Sequence, residues 1–259
     1  MKKIFMIAAI ALLTLGMLSC NKDDENSNNN TNTNTLTNPT TPSNPTNPSD
    51  TTTTPTDTTT TPVPDGYVDL GLPSGLLWAT CNLGSTTPEG YGNYYAWGEV
   101  QTKTTYDWST YAYGSASNQL TKYCSNSEYG LNGFTDNLTT LQSSDDAATV
   151  VLGNGARIPT TAECDELTNN TDGEWTTLNG VNGWKFTASN GNSLFLPAAG
   201  FRLGSEFHDA GSIGGYWSSS LNESNPRYAW FFGITSVGQG VGYDTRALGR
   251  SVRAVRSQN

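Results

Sequence analysis

Trp184-Lys185-Phe186-Thr187-Ala188-Ser189-Asn190-Gly191-Asn192-Ser193-Leu194-Phe195-Leu196 is the stretch on which the fold turns. Apolar Trp184, Phe186 and Ala188 alternate with polar Lys185 and Thr187, the period of a strand with one buried face. Asn190-Gly191 accepts positive φ, and an apolar run follows it, so the segment predicts a β-hairpin. Short apolar runs between turn residues continue on both sides. Residues 76–80, 94–97, 216–219, 228–234, 237–243 and 251–255 all read as strands.

Two short helices interrupt this pattern. Thr160-Thr161-Ala162-Glu163 is a capping box that opens a helix running to about Thr168. Asp145-Asp146-Ala147-Ala148-Thr149-Val150-Val151-Leu152-Gly153 has acids at its start and Gly at its end, as a helix should. Strands with two short helices and long loops imply an α+β fold, not a repeated βαβ unit.

This texture belongs to one folded body at residues 63–259. Of the 27 aromatic residues in the 259-residue chain, all but Phe5 lie there. A body of this size buries roughly 70% of its unfolded surface and needs no metal to fold. The formal net charge of −10 argues against a nucleic-acid partner, which needs basic surface. A single His argues against His-based catalysis and His-rich metal sites. A mean hydropathy of −0.47 excludes a chain with many membrane spans.

What precedes the body is an address and a spacer. Lys2 and Lys3 lead an apolar run over 4–15 that is too short to span a bilayer and has the layout of a secretory signal. Leu18-Ser19-Cys20 resembles a bacterial lipobox, which implies that residues 1–20 are a lipoprotein signal and that Cys20 is acylated. Two or three chains, at about 0.8 kcal/mol per buried CH2, anchor a protein stably. Removal of Lys2 and Lys3 takes the charge from −10 to −12. Asn21-Lys22-Asp23-Asp24-Glu25 resembles the surface-export signal of some Gram-negative lipoproteins. Residues 26–62 hold 16 Thr, 9 Asn and 6 Pro, with Leu36 as the one large apolar side chain. Such a segment cannot offset its chain entropy by burial, so 21–62 is expected to be a disordered linker. Asp50-Thr51-Thr52 and Asp57-Thr58-Thr59 resemble an O-glycosylation signal, and low-complexity repetition accounts for the same triplets.

The body carries a chain of motifs. Tyr67-Val68-Asp69-Leu70-Gly71-Leu72-Pro73-Ser74-Gly75-Leu76-Leu77-Trp78-Ala79-Thr80-Cys81-Asn82-Leu83-Gly84 opens it. Tyr94-Tyr95-Ala96-Trp97-Gly98-Glu99, Asp145-Asp146-Ala147-Ala148 and Arg157-Ile158-Pro159-Thr160 follow. Then come Asn190-Gly191-Asn192 with Ser193-Leu194-Phe195-Leu196-Pro197-Ala198-Ala199-Gly200, Tyr216-Trp217-Ser218-Ser219-Ser220, and Ser251-Val252-Arg253-Ala254-Val255. In this order they resemble the Fibrobacter succinogenes major paralogous domain family. The resemblance implies a C-type-lectin-like domain, akin to the sulfatase-modifying-factor group, with two short helices and paired N- and C-terminal strands. It also implies an exported surface protein without an assigned reaction. Many relatives resemble Asn-Asn-Cys where this chain has Asn169-Asn170-Thr171.

With Cys20 acylated, Cys81, Cys124 and Cys164 remain as disulfide candidates for an exported protein. Three thiols allow three pairings and leave one unpaired. A zinc site from these and His208 would lack any close ligand spacing. All three precede residue 165, whereas a copper-dependent oxidase of the related group would need a Cys pair near the C-terminal part. There is no Gly-x-Ser-x-Gly elbow, and His208 reads as a loop residue. The pairs Asp145/Asp146 and Asp165/Glu166 could mimic glycosidase acids. Capping explains the first pair and an exposed helix face the second. Where calcium-dependent lectins carry Glu-Pro-Asn or Gln-Pro-Asp, this chain has Asn225-Pro226-Arg227, and Arg offers no oxygen to a metal. No cofactor is implied.

The richest functional signal is 216–246. There Trp217, Trp230, Phe231, Phe232 and Tyr243 interleave with Ser218, Ser219, Asn222, Glu223, Asn225, Arg227, Gln239 and Asp244. Flat aromatics among short polar groups suit sugar faces and protein hot spots. The stretch also resembles the hypervariable segment of diversity-generating retroelement targets. Ser219, Asn222, Glu223, Asn225, Arg227, Tyr228, Gln239, Tyr243 and Asp244 are the expected ligand-binding residues. Trp78, Trp97, Trp217 and Trp230 are expected in the core. The expected protein is a non-catalytic surface lipoprotein of the outer membrane, tethered through Cys20, that binds an extracellular glycan or protein. The alternatives are a structural or adhesive surface component and, below it, a hydrolase or oxidase.

Overall fold

The structure is a computed structural model that describes residues 63–258. The signal at 1–20, Cys20 and the linker at 21–62 lie outside the described residues.

Strand β2, Leu76–Ala79, is buried along its whole length, as a continuous apolar run should be. It is the middle of a three-stranded antiparallel sheet between β1, Tyr67–Asp69, and β11, Val255–Ser257. Val68 and Val255 both stand opposite Trp78. The two ends of the described chain are thus joined across one tryptophan.

The quoted stretch is a hairpin, with β4, Val181–Ala188, pairing antiparallel with β5, Ser193–Pro197. Gly191 has φ +86°. Asn190 and Asn192 donate their side-chain amides to the Asp69 carbonyl at 3.0 and 2.7 Å, fastening the turn to β1. The sheet continues through β3, Thr171–Leu178, which the polar sequence TDGEWTTL conceals. A second Asn-Gly step, Asn179-Gly180, makes that connection, with both residues at positive φ.

A third sheet holds β8, Ile213–Leu221, β9, Tyr228–Thr235, and β10, Gly238–Thr245, with β9 in the middle. Between the hairpin and this sheet, β6, Phe201–Leu203, pairs with β7, Glu206–His208. Two α-helices complete the body. Helix α1, Ala147–Leu152, is capped by Asp146 and ends at Gly153. Helix α2, Thr161–Asn169, carries the expected capping box. The described body is therefore mixed α and β, with mostly short antiparallel strands and few helices.

Two strand expectations change. Residues 94–97 form no strand, only a bridge from Tyr95 to Arg250. The Tyr95 amide bonds to the Arg250 carbonyl and the Trp97 amide to the Arg246 carbonyl. The partner thus advances four residues while this segment advances two, which no regular ladder allows. The closing strand begins at Val255 rather than Ser251, because the carbonyls of Ser251, Val252 and Ala254 accept from the amides of Trp217, Leu83 and Ala79 on separate segments. Arg246, Arg250 and Arg253 are all buried. Arg246 and Arg253 donate mainly to backbone carbonyls, with Asn82 Oδ1 also serving Arg253. Burial holds the Arg253 guanidinium down to about 10, so it stays charged at neutral pH.

Trp78, Trp97 and Trp217 are core residues, as expected. Trp230, near the start of β9, is only half-buried and packs its ring edge against exposed Tyr243. The disulfide expectation is not met, and Cys81, Cys124 and Cys164 are all free thiols. Cys164 faces the cluster of Trp78 and Phe186 from α2. Cys124 lies buried in a loop and donates to the Asn126 carbonyl at 3.1 Å. Cys81 follows β2 at the wall of a cavity. Three separate settings leave no pair.

Candidate ligand-binding face

The tight turn between β8 and β9 sets the site. The Asn225 amide donates to the Asn222 side-chain oxygen at 3.2 Å, and the Tyr228 amide to the Asn225 carbonyl at 3.0 Å. Ser125 Oγ donates to the Glu223 carbonyl at 2.8 Å, binding the turn to the loop that carries Tyr129. Such side-chain-to-backbone bonds restrict the turn and the side chains it carries.

On this frame Arg227 is immobilised. Its Nε donates to Asn225 Oδ1 at 3.0 Å. Its guanidinium lies 4.9 Å from the Tyr129 ring centroid and 5.4 Å from that of Tyr228. Tyr228 meets Tyr243 at 5.4 Å, and Tyr243 meets the edge of Trp230 at 5.5 Å and 88°. Tyr243 is 46% exposed. Side-chain alternation puts Tyr228, Trp230 and Tyr243 on one face of the sheet, with Tyr243 directly opposite Trp230. The result is a band running Tyr129, Arg227, Tyr228, Tyr243, Trp230.

The nine expected ligand residues divide. Arg227, Tyr228 and Tyr243 form the band, Asn225 orients Arg227, and Glu223 is exposed on the adjoining turn. Ser219 and Asn222 are 3% and 6% exposed, so they are not presented at the surface. Asn222 closes the turn, and Ser219 lines a cavity instead. Gln239 lies four residues along β10 from Tyr243, roughly 13 Å away, where its carbonyl accepts from Thr168 at 3.0 Å. Asp244 faces the other side of the sheet and pairs with Arg250 at 2.5 Å. Tyr129 joins the band from a distant part of the chain, and no local pattern in Ser127-Glu128-Tyr129-Gly130 announces it.

The other reactive groups are held in structural settings. The cavity behind Ser219 has a volume of about 300 Å³. Its charged members are already matched. Arg157 donates two hydrogen bonds to the Glu163 carboxylate at 2.7 and 2.6 Å, and Asp146 accepts from the amides of Thr149 and Ile158. Capping therefore explains Asp146 but not Asp145, whose buried carboxylate accepts from Lys122, Tyr113, Tyr123 and Ser144. Asp165 is exposed on α2, as expected, and half-buried Glu166 accepts from the amide and hydroxyl of Ser74 at 2.8 and 2.6 Å. His208 stacks on Phe201 at 5.3 Å with Glu206 3.6 Å away. Among the described residues no three His, Cys, Asp or Glu side chains converge.

Compared with known proteins, the chain matches no family model, no curated protein and no solved structure.

Proposed function

We propose that this chain is a surface lipoprotein of the outer membrane, acylated at Cys20, whose folded body is a non-catalytic binding module for a glycan or a protein. The lipobox resemblance, the export-like cluster after Cys20 and the Thr/Asn/Pro-rich segment support the tether. The motif series from Tyr67 to Val255 supports membership of the Fibrobacter succinogenes major paralogous domain family. Two short helices, long loops and a sheet shared by the first and last strands are compatible with its C-type-lectin-like fold.

The observation that carries the binding role is the Arg227–Tyr228–Tyr243 band. Its rings are partly exposed, its cation is pre-positioned, and the turn beneath it is closed by hydrogen bonds. Preorganised groups reduce the entropy lost on binding. The test uses the full chain in two steps. Labelled fatty acid should be incorporated with Cys20 present and not in Cys20→Ala. The purified full-length protein should then capture glycans or surface proteins from an array. Capture that persists unchanged in Tyr228→Ala/Tyr243→Ala would place binding elsewhere.

A further inference from the structure

Most buried or half-buried arginines of the body have their charged forks occupied. Arg157 has Glu163, Arg250 has Asp244, and Arg246 and Arg253 have backbone carbonyls. Arg227 and Arg256 differ: each has only its Nε engaged and no carboxylate within 4.0 Å among the described residues, but Arg256 lies over the single ring of Tyr67, whereas Arg227 lies beside two rings and continues into a band of aromatics. Glu128 and Glu223 are the acids of the flanking loop and turn, both exposed and neither paired with it. A guanidinium held on one side by Asn225 and over two tyrosine rings keeps its outer pair of N–H groups in a fixed plane. That plane matches a carboxylate, which an ammonium would meet only as a point charge.

We infer that the band takes an acidic saccharide, with the carboxylate of a uronic-acid residue on the Arg227 fork and the ring's apolar face against Tyr228 and Tyr243. This rests on the binding role proposed above and names its ligand class. The 5.4 Å steps from Arg227 to Tyr228 and from Tyr228 to Tyr243 are on the scale of one sugar ring. An open platform of two tyrosines accepts the flat face of a pyranose, whereas an acidic side chain of a peptide would use the fork and leave the rings idle. The chain's net charge of −10 disfavours acidic ligands at long range, so recognition must come from this local geometry.

The experiment is calorimetric titration of the full-length protein with a panel of uronic-acid oligosaccharides, their methyl esters, neutral oligosaccharides of equal length, and poly-glutamate. Uronic-acid oligomers should bind, and esterification or Arg227→Gln should weaken binding by at least about tenfold, the scale of a charge-assisted pair. Arg227→Lys should recover only part of the loss. Arg202→Gln, which removes a stacked arginine elsewhere, should change nothing. Equal binding of neutral and acidic sugars, or wild-type affinity in Arg227→Gln, would overturn the carboxylate assignment and leave the module's binding role standing. Preference for poly-glutamate would overturn the saccharide class. Failure of every saccharide here, with capture of glycans or proteins on the array, would do the same, and failure of both experiments would remove the binding role itself.

Discussion

The guanidinium of Arg250 lies 3.8 Å from the centroid of the Phe231 ring, stacked over its face. The same group pairs with Asp244, which stands on that face of β10. The Phe231 ring in turn lies against Gly233 and Gly242, where a Cβ would meet it at 3.1 and 3.2 Å. Arg250 thus braces the underside of the sheet whose other face carries Tyr228, Trp230 and Tyr243.

The two members of this pair differ in their access to water, and that difference predicts an asymmetry. The side chain of Arg250 is 4% exposed and that of Asp244 is 36% exposed. Burial pulls the Arg250 guanidinium below its ordinary value, against the attraction of Asp244. Asp244→Ala leaves a buried cation without its counter-ion and should cost about 3 kcal/mol, toward the low end for a broken buried pair. Arg250→Met keeps the ring contact and lets Asp244 rehydrate, so it should cost less. Urea denaturation of both variants measures the order, and a larger loss in Arg250→Met would contradict it.

Acid should unfold the body through its depressed carboxylates. Burial pushes Asp145 up, but bonds from Lys122, Tyr123, Tyr113 and Ser144 outweigh it and hold the carboxyl below its usual range. Glu163 behaves alike, with burial overcome by Arg157 and the Thr160 amide. A carboxyl lowered in the fold contributes stability above its unfolded value, near pH 4, and loses it as pH falls through the folded value. Asp146, raised by burial, has the opposite sign and offsets part of the loss. The urea midpoint should be flat from about pH 6 to 8 and fall below about pH 5. Asp145→Asn should be weaker at neutral pH and show a shallower acid decline. An unchanged slope would show that Asp145 is not a source of it.

The sequence made the hairpin around Asn190-Gly191 and both helix starts legible, because a turn residue or a cap acts within a few positions. It did not show β3, because the polar run TDGEWTTL carries no alternation and only the Asn179-Gly180 step after it marks a turn. The failures are non-local. Whether 94–97 is a strand depends on how its partner at 246–250 advances, and that is decided by buried arginines. Likewise Tyr129 enters the band through contacts far apart in the chain, among them the Ser125–Glu223 bond and the pairing of its loop with Leu120. In the candidate face, residue type pointed to Arg227, Tyr228 and Tyr243 and equally to Ser219 and Asn222, whose burial is set by the fold and not by the local sequence.

Free thiols in three settings predict a graded reactivity. Burial raises the thiols of Cys124 and Cys164, and both are enclosed. Cys81 is half-buried on the wall of a cavity of about 450 Å³. A thiol reagent should therefore modify one cysteine in the native chain carrying Cys20→Ser and all three after denaturation. Cys81→Ser should abolish the native reaction. A single reactive thiol in the denatured, unreduced chain would instead reveal a bond between the other two cysteines.

Tyr243 separates ligand contact from fold stability. Its ring is nearly half exposed and touches Tyr228 and Trp230 at the surface rather than filling the core. Tyr243→Ala removes little buried area, so the urea midpoint should move by less than the equivalent of about 1 kcal/mol. Removing the same ring removes half of the proposed sugar platform, and an aromatic anchor of a binding face is worth at least about tenfold in affinity. Tyr243→Phe retains the platform and should bind nearly as wild type unless the hydroxyl itself contacts ligand. Affinity lost in Ala and retained in Phe, at unchanged stability, assigns the effect to the ring. A loss of stability that matches the loss of binding would make Tyr243 a packing residue and move the ligand contact off this face.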